Sequence, residues 1–122
     1  MIKLYQLGAK AIGNTTPKIF LPSGKDVLIS YTFPTKENDF TNGEIRFKNV
    51  CAYRWTTHMS CSVEMIEAYD KIVEIDSSEW AKELRELQIE KGYPVQVHHY
   101  RVFFDSEGCY EIVAESFLVN EK

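Results

Sequence analysis

Long hydrophobic runs are missing from this chain. Its longest unbroken apolar stretch is Val50 to Tyr53, whereas a helix that crosses a bilayer needs about 20 such residues. The opening segment, MIKLYQLGAKAIGNTT, lacks the apolar centre of a secretory signal. Together these absences predict a cytoplasmic protein that does not engage a membrane. Cysteine is sparse: Cys51, Cys61 and Cys109 make an odd count of three with no disulfide-like spacing. A disulfide framework is excluded and reduced, buried thiols are expected. The sequon Asn14-Thr15-Thr16 carries no weight in a chain that is not secreted. The six glycines form no phosphate loop and no dinucleotide fingerprint. Neither a G-x-S-x-G elbow nor an H-E-x-x-H helix occurs. Basic charge is not in excess either. Lys plus Arg total 14 against 18 acids, a net charge of −4, and the basic residues are scattered. A protein that neutralises nucleic-acid phosphates needs a basic face, so nucleic acid is not an expected partner.

The residues that are present describe one folded domain spanning 1–122. At 44% hydrophobic and 13% aromatic, the composition is that of a chain with a core. No internal repeat or low-complexity segment interrupts it. Short β-type segments are separated by turn signals. Ile2–Leu7 reads as an edge strand. Lys18–Leu21, between Pro17 and Pro22, reads as a second one, because proline cannot donate to a sheet ladder. A turn at Pro22-Ser23-Gly24-Lys25 follows. Val27, Ile29, Tyr31 and Phe33 then alternate, and Pro34 ends that strand. A polar loop is expected to close on the turn dipeptide Asn42-Gly43.

In EIRFKNVCAYRWTTH, Ile45, Phe47, Cys51, Tyr53 and Trp55 occupy one face, with a bulge expected at Asn49. Arg46, Lys48, Val50, Ala52, Arg54 and Thr56 occupy the other. Residues 61–75 admit helix or strand. A brief helical turn at Val63–Ala68 and a strand at Lys71–Ile75 fit best. DSSEWAKELRELQIEKG predicts an amphipathic helix over about 77–91, capped by Asp76 or Ser77, with Trp80, Leu84 and Leu87 inward. Gly92 and Pro94 supply its stop.

The C-terminal hairpin, about 95–119, carries the densest chemistry. Asp105-Ser106-Glu107-Gly108 reads as a type I turn with a left-handed glycine and a G1 bulge. That register pairs Phe104 with Tyr110, Val102 with Ile112 and Tyr100 with Ala114 on an apolar face. The reverse face would set His99 opposite Glu115 and Arg101 between Glu111 and Glu115. The fold expected is α+β: a mostly antiparallel sheet or partial barrel with one amphipathic helix.

Three kinds of chemistry can be weighed on these residues. A metal site would draw on His58, Cys61, Cys51, His98, His99 and Cys109. Only one pair has ligand spacing, and His98 and His99 point to opposite faces of a strand, so no metal or other cofactor is expected. A thiol nucleophile at Cys109 would sit among Asp105, Glu107 and Glu111, the wrong field for a thiolate. Acid–base work by His99, Arg101, Glu111 and Glu115 competes with ordinary cross-strand pairing. Tyr53, Trp55, Tyr69, Trp80, Tyr93 and Tyr100 exceed the needs of a small core, and such residues are enriched at interfaces.

The blocks AYRWTTHMSC, MIEAYDKIVEIDSSEW and HHYRVFFDSEGCYEIVAESF resemble a family of small bacterial proteins with no assigned activity. The likeness covers Gly43 to Val119 and implies no catalytic residues. Small proteins of that general kind include immunity partners of toxins, an analogy at the level of size alone. The reading that results is a non-enzymatic domain that binds another protein in the manner of an immunity protein. Its expected surface is Trp55, His99, Arg101, Glu111 and Glu115, and a homo-oligomer stays open. The alternative is a small-ligand binder or enzyme built on the hairpin's His/Arg/Glu cluster.

Overall fold

The computed structural model describes residues 1–7, 18–20, 25–34, 39–92, 96–105 and 107–121, with the backbone alone at 18–20 and 34. Its strands are β1 (Ile2–Gln6), β2 (Lys18–Phe20), β3 (Val27–Pro34), β4 (Phe40–Thr56), β5 (Lys71–Glu74), β6 (His98–Phe104) and β7 (Gly108–Glu121). A 3₁₀ turn at His58–Ser60 and a short helix α1 (Val63–Ile66) precede β5, and the longer helix α2 (Glu79–Glu90) follows it. The strands form one antiparallel sheet in the order β1-β5-β6-β7-β4-β3-β2. Its edge strands β1 and β2 are not paired to each other, so it is not a closed barrel. Strong curl is nonetheless evident, because Tyr31 of β3 lies 5.6 Å ring to ring from Phe104 of β6, three strands away. At the end of β7, Glu121 accepts hydroxyl hydrogen bonds from Tyr5 of β1 at 3.1 Å and Tyr31 of β3 at 2.9 Å. One carboxylate thus ties both flanks of the curled sheet.

Period-two alternation builds the core. The concave face buries Val27, Ile29, Tyr31, Ile45, Phe47, Ile72, Tyr100, Val102, Phe104 and Ile112. Each large side chain removed from water contributes about 1.5–3 kcal/mol before chain entropy is set against it. The convex face has two smaller apolar clusters. One gathers Ala68, Val73, Phe103 and Cys109 beside Met65 of α1. The other gathers Ala81, Val97 and Val113 beneath Trp80 and Leu84 of α2.

Several sequence expectations need correction. Asn42-Gly43 is not a turn: both residues lie inside β4, paired with Thr32 and Tyr31. Gly43 is there for space, since a methyl group on it would fall 2.4 Å from the Tyr31 ring. The β4 bulge falls between Val50 and Ala52, just after Asn49, whose φ is +53°. Val50 and Cys51 therefore exchange the faces expected of them: Val50 joins the concave core and Cys51 packs under α2. Ser78, not Asp76 or Ser77, caps α2, and its Oγ accepts the Ala81 N–H at 3.0 Å. Leu87 is half exposed, and Gln88 reaches inward to Cys51 instead. Gly92 does adopt the left-handed φ of a helix stop, +80°. The ambiguous segment resolves as expected, with α1 capped by Ser62 and β5 following. The turn at 22–25 falls largely outside the described residues, and Ser106, Tyr93 and Pro94 lie outside them too.

The hairpin register differs from the expected one by two residues. His99 pairs with Val113, Arg101 with Glu111, Val102 with Tyr110 and Phe104 with Gly108. The three residues 105–107 make the whole connection, so Gly108 is the first paired residue of β7 rather than a bulge. Its φ of +127° and the Thr56 carbonyl, 2.1 Å from where a Cβ would sit, both require glycine. A shift of two preserves side-chain parity, so the predicted faces survive as far as Ala114 while the predicted partners do not.

Candidate functional site

Between the two convex clusters lies a strip of polar side chains. Along β7 the convex positions run Cys109, Glu111, Val113; along β6 they run Phe103, Arg101, His99, with Val97 just before the strand. Glu111 is the centre and is only 1% exposed. Arg54 Nε donates to one of its oxygens at 3.0 Å. The other oxygen is approached by His99 Nε2 at 2.6 Å and by Arg101 Nε and a terminal guanidinium nitrogen at 3.2 and 3.1 Å. Burial pushes the Glu111 carboxyl up, but hydrogen bonds from His99 and Arg54 and the charge of Arg101 outweigh it. They hold it at about 2.

The strip continues from His99 into α2. His99 is buried at 4% exposure, and its Nδ1 is 2.7 Å from Ser78 Oγ. The Trp80 ring meets the imidazole edge-on at 5.2 Å, and the Arg54 guanidinium lies 4.2 Å over the indole. Glu111 is ionised and can only accept, so a neutral His99 must carry its hydrogen on Nε2. Its Nδ1 lone pair then faces the Ser78 hydroxyl. Ser78, His99 and Glu111 thus form a hydrogen-bonded relay between helix cap and sheet.

A cleft of about 240 Å³ opens onto the Ser78 end of this relay. Its wall is the connection from β5 to α2, the first turns of α2, and Val97 to His99. Two of its acids are compensated: Glu74 by His98 at 2.9 Å, and Asp76 by the Met1 amino group at 2.9 Å. Glu79, Lys82 and Arg85 stand at its rim. Arg85 also donates to the Val97 carbonyl at 3.0 Å, which fixes the wall.

The five residues expected to form one surface separate into three places. His99, Arg101 and Glu111 converge, but His99 and Glu111 are sealed under α2 and Arg101 is largely covered. Whether the hairpin's polar face is exposed is left open by the sequence; in the structure these three residues form a largely buried network. Glu115 is exposed elsewhere and accepts from the Asn49 side chain. Trp55 stands apart at 52% exposure, beside Tyr53 at 44%. The sequence reading missed Ser78, Trp80 and Arg54 as members of the network. Ser78 was detectable as the last hydroxyl residue before the amphipathic run. Arg54 was detectable only once Glu111 was known to lie across from it.

Among the described residues, no three His, Cys, Asp or Glu side chains are grouped as a metal ion would need. Burial pushes the thiols of Cys51, Cys61 and Cys109 up, away from the thiolate form. Cys109 alone of the three is fully buried. No helix among the described residues is long and apolar enough to cross a membrane.

No family model, curated protein or solved structure matches the chain.

Proposed function

We propose that this protein binds a small polar ligand, one bearing a carbonyl or carboxylate group, in the cleft at the start of α2. The observation that carries this reading is that Ser78 and His99, joined by a 2.7 Å hydrogen bond, both belong to the wall of that cleft. Ligand sites are usually concave and mostly apolar; this one is lined mainly by polar and charged residues, which suits a polar ligand rather than an apolar one. At about 240 Å³ the cleft is smaller than the roughly 300–1,000 Å³ of drug-sized sites, so the ligand is smaller too. Lys82 and Arg85 supply positive charge at the rim, and the N-terminus of α2 adds its dipole. Ser78 offers both a donor and an acceptor. The test is a titration of the ¹⁵N-labelled protein with acetate, succinate and simple amino acids. Saturable shifts are expected at Glu79, Trp80, Lys82 and His99, and Lys82→Glu should weaken them at least tenfold. If none of these ligands moves those amides, or if Lys82→Glu changes nothing, the reading fails.

A second reading is supported by a separate observation. Tyr53 and Trp55 are large, exposed and adjacent on β4, as aromatic anchors of a protein interface are. On this reading the chain docks another protein, in the manner of an immunity partner, through that end of β4. Its net charge of −4 suits a basic partner. A tagged chain should then retain one stoichiometric partner, and Trp55→Ala should lose it without a change in melting temperature. Equal retention by the variant would remove Trp55 from any interface.

A further inference from the structure

We propose that Ser78 is an acylatable nucleophile and that the chain hydrolyses esters of small carboxylic acids held in the α2 cleft. This rests on the ligand-binding reading of that cleft. Three placements carry it. Ser78 Oγ is 2.7 Å from His99 Nδ1, within the reach a general base needs. His99 Nε2 is 2.6 Å from Glu111, which fixes the ring's orientation and tautomer. The cleft wall includes both Ser78 and His99, which places a carbonyl held there beside the two residues. Nucleophile, base and orienting acid are recognised by such geometry rather than by chain order or motif.

The supporting shell is also in place. Arg54 and Arg101 hold Glu111 in its charged form, and Trp80 closes over the imidazole. Ser78 Oγ already accepts the Ala81 N–H at 3.0 Å, a donor that stabilises the oxygen as its proton leaves. The first N–H groups of a helix have no partner within it. That of Glu79, a residue of the cleft wall, directly follows the nucleophile and is the donor for the oxyanion.

The atoms balance without any further reagent but water. The Ser78 Oγ–carbonyl carbon bond forms as the hydroxyl proton passes to His99 Nδ1. The ester carbon–oxygen bond breaks, and the leaving alcohol takes that proton. Water then adds to the acyl group and gives its proton to Nδ1. The acyl–Oγ bond breaks, the carboxylic acid leaves, and Ser78 regains its hydrogen. Nε2 keeps its hydrogen bond to Glu111 throughout.

Diisopropyl fluorophosphate tests the nucleophile directly: an Oγ–phosphorus bond forms and fluoride leaves with the proton. Intact mass and peptide mapping of the full chain should show one adduct, on Ser78. Ser78→Asn keeps a capping oxygen but has no hydroxyl, and should show none. His99→Gln, checked for folding by near-ultraviolet circular dichroism, should label at least about a hundredfold more slowly. An initial burst of p-nitrophenol from p-nitrophenyl acetate, one per chain, is expected from the wild type. Absence of an adduct on Ser78 in folded protein overturns the proposal, and so does equal labelling of His99→Gln. If carboxylates still shift the cleft amides in that event, hydrolysis fails and binding stands. If they do not, both fall.

Discussion

Glu111 is the residue on which the convex face turns. Its carboxylate receives Arg54, Arg101 and His99 at once, in a place from which water is excluded. A buried charge is tolerable only when its partners replace its hydration, and here three do. Removing the carboxylate leaves two guanidinium groups facing each other across a gap. Losing one partner of a buried pair costs about 3–5 kcal/mol. Because Arg54 is half exposed and water can re-solvate it, the lower end applies to Glu111→Gln. The acid response carries the same signature. The group's folded value of about 2 lies below its ordinary 4.5, so its contribution is complete above pH 4.5 and is lost as pH falls towards 2. A difference of that size corresponds to roughly 3 kcal/mol. Urea denaturation at a series of pH values should therefore show stability declining through that window in the wild type. Glu111→Gln should show a shallower decline, and equal slopes would mean that the carboxylate is not the group lost.

Elements were legible in the sequence where their information is local. Alternation placed β3, β4, β6 and β7, helical spacing placed α2, and the β-branched run of Ile72 and Val73 marked β5 after a short helical turn. What failed was non-local. The Asn42-Gly43 dipeptide has turn propensity, but pairing along all of β3 draws it into β4, where its glycine accommodates Tyr31. Gly108 looked like a bulge glycine. The Thr56 carbonyl on a neighbouring strand instead leaves no room there for a Cβ, and no nearby residue announces that approach. The same limit governed the site. His99, Arg101 and Glu111 stood out because they alternate on one hairpin face. Ser78 and Trp80 join them only because α2 packs across that face, and a helix's choice between two faces of a sheet is not written in its own periodicity. Glu115 went astray because β7 changes facing near Ser116: Ala114 and Phe117 both pack on the concave core. Alternation alone would have put them on opposite sides.

Across the whole molecule, stability is graded from the centre of the sheet to its flanks. β6 and the first half of β7, as far as Ala114, are covered on both faces, by the concave core and by α1 and α2, whereas every side chain of β1 is exposed. Local openings follow such gradients, so β1 should open before the rest. Beyond its ladder to β5, the Met1–Asp76 pair and the Gln6 side chain on the Asp70 carbonyl, it is restrained by Glu121 at the far end of β7, which holds Tyr5 and Tyr31 together. A hydrogen bond to a charged acceptor is worth about 1.5–3 kcal/mol when shielded, and less at an exposed partner such as Tyr5. Replacing Glu121 by Gln keeps an acceptor but removes the charge, so the flank should loosen while the centre is untouched. Native-state hydrogen exchange reads this directly. The amides of Lys3 and Tyr5 should exchange fastest among the paired strands, and those of Val102 and Ile112 should exchange only on global unfolding. In Glu121→Gln the β1 amides should speed up about three- to tenfold, since tenfold corresponds to about 1.4 kcal/mol, with Val102 and Ile112 nearly unchanged. If β1 is protected as well as β6 in the wild type, or if the variant speeds every amide equally, the sheet opens as one unit. The carboxylate at 121 would then not be a clip on its flank.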